Sequence, residues 1–213
     1  MKTEIFIEML ALGAHQEVRT SPWRVLYLSI GCGIVLSMAM MSVTLRVNPE
    51  IQTILVDFKF WVKVVYVCAT LVLAFLSLIV VARPGAKLNG RMLRLAMPVI
   101  VVFFTALIEM WAAAPIERVG LIQGQTWSVC AVLIALLSLP VFAATLWAMK
   151  DLAPTNLSLA GAVSGLFSGA AGALVYCIHC PELEVPFIAI WYTLGMFIPV
   201  LLGYFLGPRI LRW

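Results

Sequence analysis

The chain has 213 residues, 63% hydrophobic and 11% charged, with a net charge of +4 and a mean hydropathy of +1.07. A soluble domain carries roughly a quarter charged residues, so a soluble globular enzyme and a disordered chain are both excluded. Fourteen Lys and Arg against ten Asp and Glu leave too weak a positive field for direct nucleic-acid binding, and long unbroken apolar runs exclude an outer-membrane barrel, whose strands alternate in hydrophobicity.

The first 23 residues are mixed in character and hold Lys2, Glu4, Glu8, Glu17 and Arg19, too polar for a signal-peptide core. Ile5, Phe6, Met9 and Leu12 fall on one helical face, as in a partner-binding or surface-lying amphipathic helix. A plain lead-in to the membrane reads the same way, and His15 reads as a surface residue.

Six apolar runs follow, at about residues 24–45, 60–82, 95–114, 127–148, 159–179 and 187–207. Each is long enough to cross a bilayer as a helix, which takes about 20 residues. Asn48-Pro49, Arg83-Pro84-Gly85, Pro115, Ala153-Pro154 and Cys180-Pro181 mark the breaks. Pro98, Pro140 and Pro199 lie inside runs and are expected to kink them. The expected fold is therefore all-α: a cytoplasmic segment (1–23) and a domain of six transmembrane helices (24–213).

Lys and Arg set the orientation. With the N-terminus inside, ten of the 14 basic residues fall on the inner side, and only Arg46, Lys59, Lys63 and Arg118 stay outside. The positive-inside rule thus predicts both termini in the cytoplasm. Trp23, Trp147 and Trp213 then sit at inner edges, and Trp61, Trp111, Trp127 and Trp191 near outer edges, as two aromatic belts.

Charge within the spans is scarce. Lys63 and Glu109, near the outer ends of runs two and three, either pair or snorkel to the interface. The middle of the bundle has no Asp, Glu, Arg or His, which argues against ion-coupled transport. In run five Gly161, Gly165 and Gly169 recur every four residues, a spacing that lets another helix approach closely. The pattern does not name that helix.

The five cysteines differ in depth. Cys32 and Cys68 lie within spans and read as inert small apolar residues. Cys130 opens run four at its outer end; Cys177, His179 and Cys180 close run five on the same side. Cys130, at a helix N-terminus, is expected to be the first-reacting thiol, because the helix dipole favours thiolate there. Cys130 and Cys180 could form a disulfide, share a soft metal ion with His179, or stay unpaired. Glu182 and Glu184 read as solvated loop residues or extra ligands.

Two stretches carry a resemblance. One is Gly124-Gln-Thr-Trp127-Ser-Val-Cys130 with Ser138-Leu-Pro140. The other is His179-Cys180-Pro181-Glu182 running into Phe187-Ile-Ala-Ile-Trp191-Tyr192-Thr193-Leu194-Gly195 and ending on Leu206-Gly-Pro-Arg209-Ile-Leu-Arg212-Trp213. With Pro49, the Asp57-x-x-Phe60 start of run two and Pro84-Gly85, the whole chain resembles the NrsF family, the negative regulators of sigma F. The resemblance implies a six-span anti-sigma factor of the bacterial inner membrane, not an enzyme. It would hold an extracytoplasmic-function sigma factor inactive and release it when heavy-metal or oxidative stress reaches outer-face cysteines.

The family's cysteine positions match Cys130 and Cys180; Cys177 is an addition to the family pattern. No His-x-x-x-Cys-x-x-Cys zinc domain is present, so short cytoplasmic pieces must capture the sigma factor. Ile5, Phe6 and Met9, with Arg83, Arg91 and Arg94 of the basic loop, are the candidates, anionic lipid of the bilayer being a rival ligand for the loop. No resident cofactor is expected beyond a soft heavy-metal ion at the outer-face cysteines. The rival from another class is a membrane thiol–disulfide oxidoreductase using the Cys177-x-x-Cys180 pair.

Overall fold

The computed structural model describes residues 22–45, 51–83, 85 and 90–212. Six long helices are present among them: α1 (Pro22–Thr44), α2 (Phe58–Val81), α3 (Arg91–Ala112), α4 (Trp127–Lys150), α5 (Leu157–Tyr176) and α6 (Val185–Ile210). All six are long and apolar enough to span a membrane. Within hydrocarbon each backbone amide must bond inside its own segment, so an apolar run of this length is helical by necessity.

The helix ends show local chemistry. Asp57 accepts the Lys59 amide at 2.8 Å to open α2, and Asn156 accepts the Leu159 amide at 3.1 Å to open α5. A short helix, Arg118–Gln123, fills the connection before α4. α6 is interrupted near its start by a π-helical turn, Ile188–Tyr192. Pro98, Pro140 and Pro199 all lie inside helices, and so does Pro208, which α6 runs past.

Among the spans α5 is the central helix and α3 the peripheral one: 72% of the α5 span is buried against 17% of α3. The glycines explain why. A Cβ on Gly161 would collide with the Gly203 carbonyl of α6, one on Gly165 with the Pro199 carbonyl, and one on Gly169 with the Met196 backbone. The close partner of this stripe is thus α6 of the same chain. Gly172, one step further, meets Ile134 and Ser138 of α4. α5 also packs on α2, and α1 packs on α4. A buried hydroxyl ties the last pair, Ser37 Oγ donating to the Leu137 carbonyl at 2.8 Å.

The core divides along the bundle axis. One cluster holds Met41, Tyr66, Cys130, Tyr176, Cys177, Cys180, Phe187 and Tyr192. The other holds Leu26, Leu78, Leu146, Met149, Ala160 and Leu211. The first is called the thiol end below, the second the far end. Trp61, Trp111, Trp127 and Trp191 belong to the thiol end and Trp23 and Trp147 to the far end, the two groups expected from sequence. Trp213 lies outside the described residues.

Candidate functional site: a dry thiol pair at one end of the bundle

Cys130 sits in the first turn of α4, its amide bonded to the Thr126 carbonyl at 3.0 Å. Cys180 lies in the connection between α5 and α6, its amide bonded to the Tyr176 carbonyl at 3.0 Å. Both side chains are sealed from solvent, at 0% and 1% exposure, and face each other within thiol hydrogen-bonding reach. Both are free thiols. Tyr176 contributes its hydroxyl to the same pocket, and its ring lies 5.9 Å from that of Tyr192. The Tyr192 hydroxyl faces Cys177 and Cys180 but, among the described residues, forms no hydrogen bond of good geometry and is a buried polar atom left unsatisfied.

The charged residues around the pair are arranged differently from the sequence expectation. Glu109 pairs not with Lys63 but with Lys59, at 3.0 Å, and Lys59 also meets Glu184 at 2.6 Å. Lys63 meets no carboxylate among the described residues and does not snorkel: it is wholly buried. Its Nζ donates to the carbonyls of Cys180 and Glu182, both at 3.0 Å. The ammonium also lies 5.4 Å from the Phe60 ring centroid and 5.9 Å from that of Tyr192.

Glu182 is a cap, not a solvated loop residue. Its carboxylate accepts the amides of Gln125 at 2.7 Å and Thr126 at 3.2 Å, at the start of α4. Gly124, at φ +52°, leaves the room; a Cβ there would strike the carboxylate. Glu109 accepts the Val185 amide at 3.1 Å, and the Trp191 indole donates to the Ile122 carbonyl at 2.9 Å. Trp127 and Trp191 meet with centroids 5.5 Å apart. The loop carrying Cys180 is thereby stitched to α2, α3 and α4 at once.

The thiols are not equivalent. The Cys130 thiol donates toward Cys180 and lowers it to about 6, against burial and with the Lys63 charge assisting. Burial pushes Cys177 up to about 12. At Cys180 the neighbouring Cys130 thiol and the buried Lys63 charge both favour thiolate, two influences that the helix-dipole argument for Cys130 leaves out. An exchange pair of Cys177 and Cys180 would contain one thiol held strongly protonated. The His179 ring lies tilted against Tyr176, centroids 5.7 Å apart. Among the described residues no three His, Cys, Asp or Glu side chains are grouped to hold a metal ion.

The other candidates lie elsewhere. Cys32 is on the exposed outer face of α1 and Cys68 is half-buried in α2. Arg83 and Arg94 are exposed at the far end, where α2 stops and α3 begins. Ile5, Phe6, Met9, Leu12, Lys87 and the Arg91 side chain lie outside the described residues.

Fold and site together define a polytopic helical membrane protein that carries a sealed pair of thiols at one end. The family model for negative regulators of sigma F, NrsF, matches residues 10–213, and the chain belongs to that family. It is 44% identical over its full length, and that of the relative, to a probable anti-sigma-F factor NrsF of Azospira oryzae. It is 33% identical, again over both full lengths, to the anti-sigma-F factor NrsF of Caulobacter vibrioides. No solved structure matches the chain.

Proposed function

We propose that this protein is a membrane-bound anti-sigma factor of the bacterial inner membrane, with both termini cytoplasmic. It sequesters an extracytoplasmic-function sigma factor and releases it when Cys130 and Cys180 react with thiol-reactive metal or oxidant. The supporting observation is the sealed Cys130–Cys180 pair, which joins the start of α4 to the loop after α5. Two reactions suit it. A peroxide oxidises the pair to a disulfide, taking both electrons and both protons and leaving as two waters, or as one water and one alcohol from an alkyl hydroperoxide. A soft divalent metal bridges the two sulfurs and displaces two protons.

Either product shortens or redirects the link between α4 and the α5–α6 loop. Because α5 is in close contact with α6 and α4 along its length, a shift at the thiol end moves the helix ends at the far end. There the exposed Arg83 and Arg94, with Arg91 and the N-terminal segment carrying Ile5, Phe6 and Met9, hold the sigma factor.

The test is a sigma-dependent transcriptional reporter in cells carrying Cys130→Ser, Cys180→Ser or both. Induction by thiol-reactive metal or oxidant should fall to about onefold in each single variant, and the double should match them, since a paired element is lost only once. Normal induction in both single variants overturns the thiol switch. Reporter fusions to the C-terminus and to the loop at Glu182 should report opposite sides of the membrane. Deleting residues 2–15 should abolish co-purification of the sigma factor; full retention would assign capture to the basic loop alone.

A further inference from the structure

Two lysines stand one turn apart on α2 and are treated in opposite ways. Lys59 is 40% exposed and has two carboxylates, Glu109 and Glu184. Lys63 is fully buried and has none within ion-pair distance among the described residues. A buried cation is costly unless a counter-charge is near. The two carbonyls that Lys63 grips, those of Cys180 and Glu182, are dipoles and cannot neutralise it. The groups that face it are Cys180 and Cys177 of the loop and the end of α5, Cys130 of α4, and the Tyr192 ring of α6. Of these only a thiol can become an anion at modest cost near neutral pH.

We propose that Lys63 is the internal counter-ion of a Cys180 thiolate, and thereby the positioning residue that decides which thiol of the pair reacts first. Its two carbonyl bonds fix the loop so that the Cys180 sulfur stays within reach of both the ammonium and the Cys130 thiol. Cys130 then acts as the donor that shares the charge. Cys177, beside them and pushed to about 12, stays neutral. An incoming electrophile or soft metal ion therefore meets the Cys180 sulfur as nucleophile, and Cys130 gives up its proton only afterwards, when the second bond forms. This assignment rests on the Cys130–Cys180 pair being the switch, and it adds a residue that no thiol chemistry read from the cysteines alone would include.

The experiment follows iodoacetamide labelling of Cys180 against pH in the full-length protein reconstituted in lipid nanodiscs, read by peptide mass spectrometry. Wild type, Lys63→Gln and Lys63→Met are compared. Glutamine keeps a donor for the loop carbonyls and removes the charge; methionine removes both. In the wild type the labelling midpoint should lie near 6. In Lys63→Gln it should rise by a pH unit or more, with labelling at pH 6 falling about fivefold, the change in thiolate fraction that one unit gives. Lys63→Met should show the same rise; where it fails to fold, Lys63→Gln decides alone. A midpoint unmoved in folded Lys63→Gln overturns the counter-ion assignment. The reporter separates the two readings: an unmoved midpoint with induction still lost in Cys180→Ser sinks Lys63 and leaves the switch standing. A shifted midpoint with induction intact in Cys180→Ser sinks the switch and leaves the ion pair.

Discussion

The two ends of the bundle are built from different materials. The far end is held by apolar side chains such as Leu26, Leu78 and Met149, and by backbone against backbone where Gly161 meets Gly203 and Gly207. The thiol end is held by polar bonds that cross between elements: Lys63 to the loop carbonyls, Glu182 to the start of α4, Glu109 to Lys59 and Val185, and Trp191 to Ile122. Close packing of small residues has one good arrangement and tolerates little change. A set of directed polar bonds can be exchanged for another set when one member changes charge or valence. The far end therefore moves only as a rigidly packed frame, and the thiol end is the adjustable part. The proposed sensing role fits the side where chemistry can rewrite the bonds.

The largest break in this contrast should come from the frame. Gly165→Leu puts a side chain where the Pro199 backbone already lies, and overpacking of this kind costs about 3 kcal/mol. Loss of folded protein, read by size exclusion in detergent, is expected; normal yield and thermal stability would show that α5 and α6 are free to separate.

Removing a stitch should cost less. Glu182→Ala deprives two amides at the start of α4 of their acceptor, a loss of about 1 kcal/mol. It should lower Tm and also raise the labelling rate of Cys130. A lower Tm with Cys130 labelling unchanged would mean that the loop is held by its other contacts.

The pH dependence of the reduced protein separates the thiols. Cys180 ionises at about 6 when folded and near 9 in an ordinary setting. The unfolded chain thus binds the extra proton between those values, and stability from this group is lost as pH falls from 9 to 6. Cys177, raised to about 12, has the opposite sign: stability falls as pH rises above 9. In thermal melts the slope between pH 6 and 9 should be smaller in Cys180→Ser than in wild type, whereas Cys177→Ser should flatten the alkaline side alone. An unchanged slope in Cys180→Ser would remove its thiolate from the folded state.

The smallest effect should be Lys59→Met. The Lys59 side chain is two-fifths exposed and its partners Glu109 and Glu184 are 25% and 36% exposed, and such pairs contribute less than about 1 kcal/mol. Tm should barely move and the Cys180 labelling profile should hold its midpoint, in contrast to Lys63→Gln one turn away. A midpoint shift as large as that of Lys63→Gln would mean that charge anywhere on this turn of α2 acts alike.

The six spans were legible in the sequence because a membrane forces apolar runs into helices and sets their length. The bringing together of Cys130 and Cys180 was legible because consecutive spans alternate in direction, so the start of one and the end of the next meet. What the sequence left open has physical reasons as well. Glycine spacing reports that a helix can be approached closely, not by which neighbour, and here the partner of Gly161 and Gly165 is α6. Lys63 could not be separated from Lys59, since both open the same helix and only the fold of the Cys180 loop decides which one is covered. Glu182 read as solvated because capping across two connections leaves no local pattern. The helix Arg118–Gln123 is too short to imprint a period on its six residues.

The dryness of the thiol pocket sets the tempo of any response. With Cys130 and Cys180 at 0% and 1% exposure, a reagent reaches them only during openings of the loop, and those openings require several polar stitches to part together. When reclosing is faster than reaction, the modified fraction grows with dose multiplied by duration rather than with peak concentration. A brief surge of metal or peroxide passes before many of the rare open loops have reacted, whereas sustained exposure converts the population. For the proposed thiol switch, the sealed pair makes a slow integrator, a filter in time that ignores noise and registers persistence.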